Sequence, residues 1–227
     1  MQSSEDIIQE VEQVSQQLDD LVIAEVAQDQ EKKAAQDEPM WEGCDHYRRA
    51  CMKKCEECKE YFQCRLCHDD VKSLNEADPL KAHKFDRFST KEIKCNICDT
   101  EQPPSQQCTC CSVIFARYYC ENCKLWEDNI GRLLYHCDKC GICRAGGREN
   151  AVHCDTCGGC VSKAAEGIHK CLADNLKQDC PICVESLFSS RDGGVLLKCG
   201  HPIHTACYND YVQAKNTECP VCRMPFK

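Results

Sequence analysis

Cys180-Pro181-Ile182-Cys183, Cys199-Gly200-His201-Pro202-Ile203-His204-Thr205-Ala206-Cys207 and Cys219-Pro220-Val221-Cys222 crowd eight cysteines and histidines toward one end of a 227-residue chain. As spacing this is Cys-x2-Cys-x15-Cys-x-His-x2-His-x2-Cys-x11-Cys-x2-Cys. A gap of two residues lets both sulfurs of a tight turn reach one ion at the zinc–sulfur distance of about 2.3 Å. Thiolate and imidazole donors at such spacing select zinc. The chain holds eleven Cys-x2-Cys pairs in all, a bias that a disulfide scaffold has no reason to show.

Twenty-six residues are cysteine, whereas Leu, Ile, Val and Phe together number 42. That apolar share lies below the roughly 20% at which a highly charged chain reads as disordered. Crosslinking must therefore replace a core. Disulfides need an oxidising compartment. Met1-Gln2-Ser3-Ser4-Glu5-Asp6 lacks the basic and apolar regions of a signal peptide. No apolar run reaches the roughly 18 residues of a membrane span. The expectation is a zinc protein of the cytoplasm or nucleus, with no membrane partner. Residues 1–40 hold 11 Asp/Glu and 2 Lys, and the rest holds 26 acids and 26 bases, so the formal net charge of −9 belongs to the N-terminal segment. A body without basic excess is a poor phosphate binder, and a nucleic-acid partner is not expected.

The eight-ligand spacing of 180–222 resembles a RING finger with two central histidines. The resemblance implies a ββα RING over 179–224 with interleaved sites. Cys180, Cys183, His204 and Cys207 would hold one ion, and Cys199, His201, Cys219 and Cys222 the other. It also implies recruitment of a ubiquitin-charged conjugating enzyme. Ile182 would be the main apolar contact, Pro220 would lie in the second contact loop, and Arg223 would bridge conjugating enzyme and ubiquitin. The competing readings are a packing residue for Ile182 and a solvated charge for Arg223. Family members often carry Trp in the helix between the sixth and seventh ligands; here Tyr208 and Tyr211 stand there.

Upstream, His-Cys-x2-Cys-x2-Cys occurs at His136 and again at His153, seventeen residues on, with a degenerate third start at His169-Lys170-Cys171. A short fixed period signals a stacked array. Cys120, Cys123, His136, Cys137, Cys140, Cys143, His153, Cys154, Cys157, Cys160, His169 and Cys171 make twelve ligands, enough for three tetrahedral ions. Adjacent His136 and Cys137 point to opposite sides of an extended chain and should serve different ions. The expected partition is Cys120, Cys123, Cys137 and Cys140, then His136, Cys143, Cys154 and Cys157, then His153, Cys160, His169 and Cys171. The pattern resembles the CTCHY zinc finger, here a spiral-like zinc array over 115–178.

Gly43-Cys44-Asp45-His46-Tyr47 opens a third block, followed by Cys64-Arg65-Leu66-Cys67-His68-Asp69, by His83-Lys84-Phe85-Asp86-Arg87-Phe88, and by the pairs Cys95/Cys98 and Cys108/Cys111. This order is similar to a CHY zinc finger, over 41–114. The expected ligands are Cys44, His46, Cys55, Cys58, Cys64, Cys67, His68, His83, Cys95, Cys98, Cys108 and Cys111, with Cys51 and Cys110 spare. Cys51 in place of Cys55, and Cys110 in place of Cys111, stay open. A surface histidine is the competing reading for His83. The sum is 32 ligands for about eight zinc ions.

Residues 43–223 as a whole resemble the RING finger and CHY zinc finger family of ubiquitin ligases. The fold class expected is a series of small zinc-stabilised modules with little regular secondary structure, preceded by a short N-terminal helix. Ile7, Val11, Val14, Leu18 and Leu21 form a stripe of about two heptads in the acidic segment 1–40, which then runs into a polar linker. Animal relatives carry a further zinc domain after the RING. With the chain ending at Lys227, none is expected here, and substrate recruitment falls by elimination to residues 1–178. The function expected is a RING-type E3 ubiquitin-protein ligase with no covalent ubiquitin intermediate. A zinc-dependent interaction scaffold, a redox sensor or zinc buffer, and a nucleic-acid binder using Arg48, Arg49, Lys53, Lys54 and Arg144–Arg148 are the alternatives.

Overall fold

The Cys-x2-Cys pairs dictate most of the local structure. In the computed structural model, which describes residues 40–191 and 193–226, eight of these pairs are followed by a residue with left-handed backbone. These residues are Lys59, Asp99, Ser112, Lys124, Gly141, Gly158, Val184 and Arg223, with φ from 46° to 72°. In all but Lys124 the N–H of that residue returns to the carbonyl of the first cysteine at 2.9 to 3.1 Å. The turn aims both sulfurs to one side and sends the chain back on itself, so short antiparallel hairpins grow from the knuckles. A non-glycine residue in that region costs about 1–2 kcal/mol, which a bound ion can offset. The apolar stripe Ile7 to Leu21 lies outside the described residues.

The chain forms two units. The first takes the described residues up to Phe85, then Glu92–Arg117 and Trp126–Gly131. Its sheet has strand order β2-β1-β3-β4, from β1 (Cys51–Lys54), β2 (Tyr61–Phe62), β3 (Ile93–Cys95) and β4 (Glu101–Gln102). Cys51 pairs with Cys95 and Lys53 with Ile93. A short helix, α1 (Arg65–Asp69), begins at Cys64, whose sulfur accepts from the Cys67 N–H. Ile93, Phe115, Ala116 and Trp126 are fully buried. The limits of this unit differ from the boundary at 114/115 drawn from spacing. The reason is the return of Trp126, Glu127 and Asp128. Trp126 Nε1 donates to Ser105 O at 2.8 Å, Glu127 Oε1 accepts from Arg48 N at 3.0 Å, and Asp128 Oδ1 pairs with Arg117 Nε at 3.1 Å.

The second unit comprises Asp86–Lys91, Tyr118–Leu125 and Arg132 onward. It contains β5 (Tyr118–Cys120) and three two-stranded hairpins. These are β7 (Tyr135–Cys137) with β8 (Ile142–Arg144), β9 (Ala151–Cys154) with β10 (Gly159–Ser162), and β11 (Gly194–Leu196) with β12 (Pro202–His204). The short β6 (Leu125–Glu127) carries the chain between units. After β12 comes α2 (Thr205–Gln213), completing a ββα arrangement. Its small core is Leu197 and Ile203 among Cys180, Cys199 and Cys219, flanked by Leu187, Val195, Tyr208 and Phe226. Tyr208 thus packs inward, its ring 5.6 Å from that of Phe226. Small zinc modules with few helices are the fold class. Among the described residues no helix is long and apolar enough to cross a membrane.

Candidate metal centres

Tetrahedral zinc with bonds of about 2.3 Å to sulfur and 2.0–2.1 Å to nitrogen requires edges of about 3.8 Å between sulfurs, 3.6 Å from sulfur to nitrogen and 3.3 Å between nitrogens. The cysteines and histidines meet this test. In the first unit Cys44, His46, Cys64 and Cys67 converge. His46 Nδ1 lies 3.5 Å from both Cys64 and Cys67, which are 3.6 Å apart. Cys55, Cys58, His68 and His83 form a second group. There Cys55 is 3.5 Å from His83, Cys58 is 3.7 Å from His68, and the two Nε2 atoms are 3.1 Å apart. Cys95, Cys98, Cys108 and Cys111 form a third, with edges of 3.8 and 3.5 Å. Cys55 rather than Cys51, and Cys111 rather than Cys110, stand in these groups. Cys51 is buried on β1 and Cys110 is exposed.

In the second unit the sequence-derived partition of Cys120–Cys171 does not match what the fold brings together. Cys120 and Cys123 meet His136 and Cys143, with His136 Nδ1 at 3.5, 3.3 and 3.9 Å from the three sulfurs. Cys137 and Cys140 meet His153 and Cys160, with edges of 3.6, 3.2 and 3.7 Å. Cys154 and Cys157 meet His169 and Cys171, with edges of 3.7, 3.5 and 3.1 Å. The physical reason is register. His136 pairs with Cys143 across β7–β8, and His153 with Cys160 across β9–β10. Cross-strand partners share a face, so each such pair looks back at the preceding knuckle. His136 and Cys137 do serve different groups, as alternation along a strand demands, but in the opposite order.

In the ββα module Cys183 lies 3.2 Å from His204 Nδ1, and Cys207 interacts with Cys180 and Cys183. Cys219 lies 3.6 Å from His201 Nδ1, and Cys199 interacts with Cys219 and Cys222. The two groups interleave.

The electrostatics suit a divalent cation. Where thiols crowd, a hydrogen bond from Cys64 holds the Cys44 thiol down to about 4 and in return pushes Cys64 up. Likewise a hydrogen bond from Cys143 holds Cys123 down to about 5. Each such group already favours thiolate at one corner. The histidines divide by tautomer. His46, His136, His153, His201 and His204 present Nδ1, whereas His68, His83 and His169 present Nε2. The second set is oriented through the other nitrogen. His68 Nδ1 faces Asp69 Oδ1 at 3.0 Å, and the Nδ1 atoms of His83 and His169 lie 2.7 Å from the carbonyls of Lys81 and Ala165. Such partners fix ring orientation in metal sites. Asp69 is further held by the Phe85 N–H at 2.7 Å. Sequence spacing gave no signal for this second layer beyond the adjacency of His68 and Asp69.

Ile182 and Arg223 lie exposed on the knuckles of the ββα module, with Pro220 half-buried. Val221, not singled out from spacing, is 54% exposed and holds the place in Cys219-Pro-Val-Cys222 that Ile182 holds in Cys180-Pro-Ile-Cys183. The repeated Cys-Pro-x-Cys was the available signal. The basic residues considered for nucleic acid do not form a free patch, because Arg49 and Lys53 are buried at 2% and 3% exposure.

These features define a multi-zinc protein that joins a CHY finger to a RING. The CHY zinc finger family profile matches residues 44–118, and the Ring finger domain profile matches 178–223. The chain is 44% identical over 180 residues to the probable E3 ubiquitin-protein ligase RZFP34 of Oryza sativa subsp. japonica, covering 79% of this chain and 60% of that protein. It is 39% identical over 184 residues to E3 ubiquitin-protein ligase SRFP1 of the same plant, covering 81% and 68%. It is 39% identical over 180 residues to E3 ubiquitin-protein ligase RZFP34 of Arabidopsis thaliana, covering 79% and 62%. The chain belongs to this CHY zinc finger and RING finger family, whose members bind several zinc ions, and it spans 60 to 68% of the length of these relatives.

Proposed function

We propose that this chain is a RING-type E3 ubiquitin-protein ligase, and that the 32 cysteines and histidines named from spacing are the ligands of eight zinc ions. Zinc supplies structural crosslinks and neutralises thiolates; it takes no part in the transfer. The RING recruits a ubiquitin-charged conjugating enzyme through Ile182, Pro220 and Arg223, and the CHY and CTCHY regions recruit a substrate protein. No residue forms a covalent bond to ubiquitin. Acceleration comes from holding the thioester and an attacking lysine in one orientation, which converts a bimolecular reaction into an effectively unimolecular one. The observation that carries the reading is the exposure of Ile182 and Val221 on the two knuckles of the ββα module, whose cysteines are otherwise committed to metal. An apolar side chain left on such a rigid turn is available to a partner. A chain whose thiols are metal ligands rather than disulfides belongs in the cytoplasm or nucleus.

The test is in-vitro ubiquitin transfer with a panel of conjugating enzymes. Wild type should build product ladders, and Ile182→Ala should lose them while keeping its zinc. Absence of transfer from fully zinc-loaded protein with every enzyme tried would reduce the RING to an interaction module.

A further inference from the structure

Arg144, at the end of β8, touches two modules at once. Its Nη2 donates to Cys140 Sγ at 3.5 Å, within the middle group of the CTCHY array. Its Nη1 donates to the Phe188 carbonyl at 2.8 Å, and the guanidinium lies 4.5 Å from the Phe188 ring centroid. Phe188 belongs to the RING, between Cys183 and Cys199. Its ring packs on the cluster of Cys120, Cys123 and Ile142. A second attachment lies at Gly200, between ligands Cys199 and His201. The buried Asn175 donates through Nδ2 to the Gly200 carbonyl. The approach is so close that a Cβ on Gly200 would meet Lys170 O at 2.5 Å.

We infer that Arg144 is a positioning residue which, with Phe188, holds the RING in one orientation on the zinc array, so that ubiquitin is delivered to a restricted set of lysines. The inference rests on the ligase reading. Two contacts on separate RING loops remove the rotation that a single tether would leave. The guanidinium suits the role because its planar fork serves a carbonyl, a sulfur and an aromatic face together, which a lysine ammonium does not. Ile182 and Val221 remain exposed while Phe188 and Gly200 are engaged, so docking leaves the knuckles free. The consequence is geometric: a fixed RING confines the charged thioester to one region of space, and reach decides which lysines react.

The experiment compares full-length wild type, Arg144→Ala and Phe188→Ala, all shown to hold their zinc. Phe188→Ala leaves every cysteine and histidine in place and guards against misfolding caused by the proximity of Arg144 to Cys140. Three quantities are measured: discharge of ubiquitin from a charged conjugating enzyme to free lysine, the map of self-modified lysines by mass spectrometry, and amide exchange. Discharge to free lysine should stay within about two-fold of wild type, because it needs no fixed acceptor. The lysine map should broaden. Protection at the Leu176 and Leu187 amides, which donate to Cys157 O and Gln178 O, should fall by about ten-fold or more. A wild-type lysine map in both variants overturns the inference. If wild type discharges no ubiquitin at all, the ligase reading falls separately, and wild-type amide protection in Phe188→Ala then overturns the fixed orientation.

Discussion

His136 and Cys143 stand opposite one another across the β7–β8 hairpin, with Nδ1 and Sγ 3.9 Å apart, and both face Cys120 and Cys123. Pairing across a hairpin therefore decides which ion each residue serves. Cys120→Ser and Cys143→Ser should damage the same site. Native mass spectrometry should find about seven ions where wild type holds about eight, in each single variant and in the double variant alike. Combining Cys143→Ser with Cys154→Ser should remove two. Loss of two ions from the Cys120/Cys143 double variant would overturn this grouping.

Removal of metal should unfold residues 44–223. The apolar cores are small; that of the ββα module consists of Leu197 and Ile203 among three cysteines, and a second cluster has Ile142 between Cys120 and Cys123. Structural zinc contributes about 10–16 kcal/mol of apparent free energy per site in finger peptides, far more than such a cluster. A strong chelator should collapse backbone amide dispersion in NMR spectra, and zinc should restore it. Native spectra retained after complete metal removal would contradict the role assigned to these sites.

Which cysteines and histidines converge was legible in the sequence because a metal knuckle constrains spacing directly: two residues between cysteines mark a tight turn. The partition was less so. Alternation places His136 and Cys137 on opposite faces but does not say which face looks backward; only the register of β7 on β8 does. His83 lies far along the chain from His68, and a loop rather than a knuckle brings it in, so local spacing carried little information. The roles of the basic residues were not legible for a different reason. Spacing says nothing of the aromatic partners of Arg49, Lys53 and Arg144, yet Arg49 lies 5.2 Å from the Tyr47 ring, Lys53 lies 5.0 Å from the Phe85 ring, and Arg144 clamps Phe188. Trp126, Glu127 and Asp128 follow the CHY pattern in sequence and look like part of the next module, but their hydrogen bonds return them to the first unit.

The two RING knuckles call for different substitutions. Ile182→Ala removes apolar surface and should leave the turn intact. Burying an isoleucine is worth about 1.5–3 kcal/mol, so conjugating-enzyme affinity should fall by roughly ten-fold or more, read by titration. Arg223 occupies φ +60°, where alanine would combine loss of charge with backbone strain. Arg223→Gly removes the guanidinium and relaxes the turn. It should preserve zinc content and thermal stability while slowing ubiquitin discharge. Unimpaired discharge by Arg223→Gly would make Arg223 a solvated surface charge.

The two cysteines outside the eight groups should differ sharply in reactivity. Cys51 is fully buried on β1, and burial pushes its thiol up to about 12. Thiolate is the reactive form, so near pH 8 Cys51 is both inaccessible and protonated. Cys110 is exposed, and it stands beside Cys111 without joining that residue's group. Brief treatment of zinc-loaded protein with a maleimide should therefore label one cysteine, Cys110. Labelling of Cys51 should appear only when the protein is stripped of zinc. The same experiment checks the ligand choice at both ambiguous positions: if Cys110 were the ligand in place of Cys111, the label would fall on Cys111, and if Cys51 replaced Cys55, the uncommitted Cys55 would react with the maleimide as well. A single adduct at Cys110 is the outcome that only the grouping seen here produces.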